Sequence, residues 1–141
     1  MSVKESISNA RFDTLTEIKV VSFGYKYGFI EEANALFDVR CFENPYYVDE
    51  LRPFSGEFTE VYDYVFSDEK ADLFFYEMTQ AVKVQLDRFI ERGRDSYIIA
   101  FGCTGGRHRS VAFALRTCNY LKENGYNAVL LHRDCEKADN K

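Results

Sequence analysis

The chain contains no tryptophan, two prolines and two histidines among its 141 residues. No apolar run approaches the ~20 residues that cross a bilayer, so a transmembrane helix is excluded as an organising element. No C-x-x-C pair or metal-ligand spacing links Cys41, Cys103, Cys118 and Cys135, and no metal or other cofactor is expected. The phosphate loop G-x-x-x-x-G-K-S/T is absent, which removes nucleotide hydrolysis of that type. Positive charge is in deficit, with 18 Lys and Arg against 23 Asp and Glu, a net charge of −5. That balance argues against a broad nucleic-acid-binding face but not against a local positive pocket. The opening stretch MSVKESISNARFD has no apolar h-region and does not read as a secretory signal. Residues 1–14 are expected to form a flexible N-terminal arm and residues 15–141 a single domain. A cytoplasmic location with reduced thiols follows as the expectation.

What is present is apolar and aromatic. Hydrophobic residues make up 46% of the chain, with 13 Phe and 10 Tyr, enough for a packed core. TEIKVVSFG (16–24), ALFDVR (35–40), SYIIAFG (96–102) and YNAVLLHRD (126–134) read as strands. CFENPYYVDELRPFSG (41–56) carries both prolines and reads as a long loop, a kind usually functional or poorly ordered. Between Glu57 and Gly93 the period becomes helical. Val61, Tyr64 and Val65 form a short apolar face, and Ser67 is placed to cap the helix that follows. Phe74, Met78, Val82, Leu86, Phe89 and Ile90 then recur at three- and four-residue steps. A further helix is expected over 111–125, with Val111, Leu115, Cys118 and Leu121 on one side and Gly125 as its stop. Alternating strands and helices predict a three-layer α/β domain with a mostly parallel sheet.

Ligands of such sheets bind outside the carboxyl ends of the strands. Lys26, Arg40, Arg107, Arg109 and Arg133, with both histidines, all fall at those ends. GCTGGRHRS (102–110) is the sharpest of these segments. Gly102, Gly105 and Gly106 let the backbone turn its N–H groups inward, and a helix starting near His108 adds its positive end. Arg109 can offer a bidentate fork to a phosphate. The plain alternative is a tight strand-to-helix connection. The same stretch fits the Cys-dependent phosphatase pattern C-x-x-G-x-x-R-S/T through Cys103, Gly106, Arg109 and Ser110. A thiolate held by a helix N-terminus and an arginine can attack phosphorus. Two departures stand against that: Gly102 occupies the usual histidine position, and the candidate general acids, Asp38 and Asp49, belong to no motif. Otherwise Cys103 is a small side chain in a crowded turn. His108 either donates to an anion or lies on the helix surface, and His132 is either a ligand contact or a wet strand end. Lys26 reaches a ligand or is solvated. Asp38 and Arg40 pair with each other or face ligand hydroxyls.

Taken together, SFGYKYG, FDVR, NPYYVDELRPFSG, GCTGGRHRS and HRDCEK resemble the C-terminal domain of the RapZ family, bacterial RNase adapter proteins also described as nucleotide-binding. The resemblance runs over residues 18–137. It implies a domain that senses a phosphorylated amino sugar, glucosamine-6-phosphate, beside a separate P-loop domain, and that takes part in RNA binding and protein assembly. The family's anion loop matches Thr104, Gly105, His108 and Arg109, with Cys103 beside them, and Asp38 and Arg40 match its strand-end block. With Gly106, Arg107, Ser110 and Lys26 from the reading of the strand ends, these are the phosphate-binding candidates. Tyr46 stands where the family loop has the histidine of N-P-H. The chain's last residues, EKADNK, intersperse acids where adapter members carry a basic tail, which weakens the salt-dependent attraction RNA needs. The expected partner is a small phosphorylated ligand, a sugar phosphate or nucleotide, bound in a regulatory role. A Cys-dependent phosphatase is the alternative, and an RNA or protein adapter, with homo-oligomerisation, comes third.

Overall fold

A computed structural model describes residues 16–137. The expected arm, 1–14, lies outside the described residues. Four strands, β1 (Glu17–Gly24), β2 (Ala35–Asp38), β3 (Ser96–Cys103) and β4 (Ala128–His132), form one sheet in the order β2-β3-β1-β4. Every pairing is parallel, so the mostly parallel sheet of the sequence reading is wholly parallel. Three α-helices follow in chain order: α1 (Thr59–Phe66), α2 (Glu69–Glu91) and α3 (Arg109–Glu123). Strand two stops at Asp38, whose carboxylate accepts from the Arg40 amide and guanidinium. Strand four is shorter than predicted at both ends, its expected first residue Tyr126 being tied by its amide to the Leu121 carbonyl of the last helix.

The alternation of side chains along the strands sorts the two faces. Ile18, Val20, Tyr97, Ile99, Phe101 and Cys103 face the helices and join their apolar stripes in one large core. Val21, Phe23 and Ala100 point the other way, where Ile30 and Ala33 from the β1–β2 connection cover them. The layers are therefore helices, sheet and a connecting segment. Phe113, fully buried in α3, is the hub of the helical side. Its ring meets Phe66 at 4.8 Å, Phe42 at 5.3 Å and Phe101 at 5.9 Å between centroids. Burying such a ring contributes roughly 1.5–3 kcal/mol, and the edge-to-face contact with Phe66 and the stacked contacts with Phe42 and Phe101 add to it.

Helix α2 buries Met78, Val82, Leu86 and Ile90 as the periodicity predicts, together with Ala71, Phe75 and Thr79, while Phe74 and Phe89 sit half-buried at its flank. Its cap is one residue later than expected. Asp68 accepts from the Lys70 amide at 2.9 Å, whereas the Ser67 hydroxyl donates backward to the Tyr64 carbonyl at the end of α1. A carboxylate beside the free amides outcompetes a hydroxyl with a nearer acceptor. Gly93 at φ 68° and Gly125 at φ 87° close α2 and α3 in the left-handed region that favours glycine.

The register brings the functional ends level. Gly24 lies opposite Cys103, Ser22 opposite His132, and Asp38 opposite Gly102. One edge of the sheet thus presents the loops that follow all four strands.

Candidate functional site

β3 ends at Cys103 and α3 begins at Arg109, and between them Thr104–His108 bend without any hydrogen-bonded turn. His108 occupies the N-cap but gives no side-chain cap. Among the described residues, the amides of Gly105 through Arg109 donate to no protein acceptor. Four consecutive donors ahead of a 15-residue helix, and that of its first residue Arg109, are thus left without partners where the positive end of the helix dipole lies.

This shape depends on close backbone approach. Gly106 has φ 80°, and a Cβ on it would lie 2.6 Å from the Gly24 nitrogen. A Cβ on Gly24 would lie 2.6 Å from the Gly105 carbonyl oxygen and 2.8 Å from the Gly106 nitrogen. Asp134, fully buried, fixes the other side: its carboxylate accepts from the Gly24 amide at 2.7 Å and from Arg133 and Lys137. Burial alone would push the Asp134 carboxyl up. The bonds from Arg133, Gly24 and Lys137 outweigh it and hold the group below its ordinary value.

Arg109 carries the charge. The residue is 5% exposed, and its Nη1 donates to the carbonyls of Arg40 and Phe42. Its Nε is buried without a partner. Among the described residues no carboxylate pairs with it. Asp38 is near enough for Arg109 to help lower its carboxyl, but both Asp38 oxygens are taken by Arg40, at 2.9 and 2.6 Å. That Arg40 bond is the main reason the Asp38 carboxyl lies below its ordinary value. A buried guanidinium without a counter-charge is costly, and an anion entering the loop would supply one.

A cavity of about 140 Å³ opens on this loop, lined by Asn44, Tyr46, Tyr47, Cys103, Thr104, Gly105, Arg107, His108 and Arg109. Its far wall comes from the proline-bearing loop, which is ordered by its own bonds. Asn44 accepts from the Tyr46 amide at 3.1 Å, a single 3₁₀ turn spans Pro45–Tyr47, and Arg52 Nε donates to the Tyr46 carbonyl at 2.6 Å. Cys103 lines the floor, 3% exposed, its thiol 3.1 Å from the fully buried Ser110 hydroxyl. Gly102 is dictated by packing. A Cβ there would lie 2.5 Å from the Tyr25 ring and closer still to that of Phe23, so the histidine of phosphatase loops has no room.

The remaining predicted residues divide sharply. Arg107 lines the cavity, yet its guanidinium donates to the carbonyls of Cys135 (2.8 Å) and Pro53 (2.6 Å), tying two loops to the cradle. His108 likewise has Nε2 2.9 Å from the Arg52 carbonyl, and burial pushes its pKa down, so the neutral ring acts as an N–H donor to that carbonyl. Asp38 and Arg40 pair with each other, Arg40 stacks 3.9 Å over the Tyr25 ring, and neither lines the cavity. Their contribution is indirect, through the Arg40 carbonyl that holds Arg109. Lys26 also stays outside the lining. Its ammonium stands 5.3 Å over the Tyr27 ring and its amide donates to the Thr104 carbonyl. Neither general-acid candidate lines the cavity, and Asp49 is paired with Arg52 at 2.7 Å. His132 meets Ser22 Oγ at 2.6 Å and Glu57 at 3.8 Å, away from the cavity.

Sequence reasoning did not single out Gly24, Asn44, Tyr47 or Asp134 as site residues. Each does sit in a segment it quoted, and the signal for Gly24 and Asp134 was their place at strand ends. Among the described residues no helix is long and apolar enough to cross a membrane, and no group of His, Cys, Asp and Glu could hold a metal ion.

Fold and loop together define a parallel α/β domain with a cradle of unpaired donors at its strand ends. The RapZ C-terminal domain profile matches residues 16–136, and the chain belongs to that family. A Staphylococcus epidermidis protein named nucleotide-binding protein is 46% identical over 124 residues, covering 87% of this chain and 41% of its own length. A nucleotide-binding protein of Carboxydothermus hydrogenoformans is 45% identical over 120 residues, with shares of 85% and 42%. Another from Caldanaerobacter subterraneus subsp. tengcongensis is 44% identical over 117 residues, with shares of 83% and 41%. The chain thus spans about two-fifths of the length of these curated relatives.

Proposed function

We propose that the chain is a cytoplasmic binding domain for a small phosphorylated ligand, held in the 103–110 loop and serving a regulatory role. One observation carries this reading: the Nε of Arg109 is buried without a partner, and the unpaired amides of Gly105, Arg107, His108 and Arg109 belong to residues lining one cavity that has no carboxylate in its wall. Such a cradle selects a compact, highly charged anion. Glucosamine-6-phosphate and a nucleoside monophosphate are the two ligands to compare. The family favours the first, and the relatives' printed names speak for the second. Tyr46 in place of the family histidine leaves the wall without an imidazole contact and gives it an aromatic ring instead. Among the predicted residues Arg109, the Gly105–Arg109 amides and Thr104 contact the phosphate, whereas Arg107, His108, Asp38 and Arg40 shape the cradle.

Isothermal titration calorimetry with inorganic phosphate, glucosamine-6-phosphate and a nucleoside monophosphate tests this. Binding that disappears in Arg109→Ala is expected. No heat with any of the three at millimolar ligand, or equal binding by the variant, would overturn it. The weaker adapter reading predicts salt-sensitive RNA retention in a gel shift, and its absence at low salt removes that reading.

A further inference from the structure

The thiol of Cys103 is placed for more than packing. It lies on the floor of the cavity, at the end of β3, with the cradle amides, the N-terminus of α3 and the Arg109 guanidinium around the same space. Two features go beyond a bare cysteine. Arg109 is more than nine-tenths buried and keeps its Nε unpaired at the cavity. The hydroxyl of Ser110 lies 3.1 Å from the sulfur, where it accepts a hydrogen bond from the thiol and can donate one to a thiolate.

We propose that Cys103 is a nucleophile and that this loop transfers the phosphoryl group of aryl phosphate monoesters to water. The inference rests on the anion-binding reading of the same loop. In the first step the Cys103 thiol gives its proton to solvent, and the sulfur attacks phosphorus. The S–P bond forms as the P–O bond to the aryl group breaks, and the aryloxide leaves with the bonding electron pair and takes a proton from water. In the second step water attacks phosphorus and loses a proton to solvent, the S–P bond breaks, and Ser110 Oγ donates to the returning thiolate. Inorganic phosphate departs and no oxidant or reductant is needed. The loop amides and Arg109 hold the three non-bridging oxygens throughout.

The substrate class follows from what lines the cavity. It holds no carboxyl group to protonate a leaving oxygen, since Asp38 and Asp49 are both engaged elsewhere. Only leaving groups that depart as stable anions are then served, which selects aryl over alkyl esters. The wall opposite the cradle is aromatic. Tyr46 packs edge-on against Tyr47 at 5.4 Å, and Tyr47 is 78% exposed, leaving a ring face open to an aryl group.

The test is turnover of 4-nitrophenyl phosphate and of glucosamine-6-phosphate, with inorganic phosphate binding measured in parallel. The aryl ester is expected to turn over and the alkyl ester only to bind. Cys103→Ser abolishes turnover while retaining phosphate binding, and Arg109→Ala loses on the order of 10²–10³-fold in rate. Ser110→Ala is expected to accumulate phosphocysteine, read as one added phosphoryl group by intact mass after a denaturant quench. Phosphate binding without turnover or phosphoenzyme overturns this inference and leaves the binding reading standing. Turnover that survives Cys103→Ser overturns the role of the thiol. Failure to bind phosphate as well takes both readings down together.

Discussion

Gly24→Ala isolates the cradle from the rest of the fold. The backbone at Gly24 is extended, φ −108° and ψ 130°, so alanine adopts it without torsional cost. The penalty is steric. The new Cβ would sit 2.6 Å from the Gly105 carbonyl oxygen, about 0.8 Å inside ordinary contact at 3.4 Å, and 2.8 Å from the Gly106 nitrogen. The obstructing atoms are backbone and cannot rotate away. β1 is equally unable to retreat, because the Gly24 amide is held by buried Asp134. The 104–106 segment must therefore move outward. Overpacking of this kind costs about 1–3 kcal/mol, or roughly 3–5 °C of Tm per kcal/mol for a domain of this size. Gly28→Ala is the matched control. With φ at 91° and nothing within 4 Å of its Cβ, alanine there meets strain but no neighbour, at a similar cost of about 1–3 kcal/mol. Scanning calorimetry should find both variants destabilised, while titration with inorganic phosphate should find only Gly24→Ala deficient. Full phosphate affinity in Gly24→Ala, at a stability matching the control, would refute the claim that this contact shapes the donors.

Two further outcomes follow from the local chemistry. Burial lowers the pKa of both His108 and His132 below 6.5, only partly offset at His108 by bonds to the Arg52 and Phe54 carbonyls and at His132 by Glu57. Below about pH 6.5 the unfolded chain therefore binds protons that the folded chain refuses, and stability falls as pH falls, by at most about 1.4 kcal/mol per pH unit for each group. Urea midpoints at about pH 7.5 and 5.5 should show the loss, and His108→Gln should flatten the slope. Asp68→Ala should cost about 1 kcal/mol by removing the cap of α2, whereas Ser67→Ala, which loses only a bond back to the Tyr64 carbonyl, should cost less in the same urea titration.

The periodicities of the chain were sufficient for the sheet and helices because each element buries one consistent face. Ile99 and Phe101 in β3, and Met78, Val82 and Leu86 in α2, obey their periods and lie in one core. The loop at 103–110 was legible for a similar reason, since glycines before a helix expose amides by covalent geometry alone. The division of labour among its cations was not. Arg107, Arg109 and Arg133 are chemically alike, and which one keeps an unpaired donor depends on carbonyls supplied from distant sequence, Pro53 and Cys135 for Arg107, Gly28 for Arg133. Asp38 and Arg40, two residues apart, satisfied each other locally, as short-range pairs tend to do. Gly24 escaped notice because its constraint comes from a backbone 81 residues later in the chain.

Asp134, Gly24 and Gly106 interlock the connections that follow three of the four strands, and this makes the two ends of the sheet unequal in what they can tolerate. At the opposite end, Gly93 has open space around it and closes an exposed turn. Insertions, tags or a new chain break can be accommodated there, where few contacts cross. An added residue at the cradle end would have to displace three loops at once. Natural variation in length within this domain is accordingly expected to collect at the amino ends of the strands.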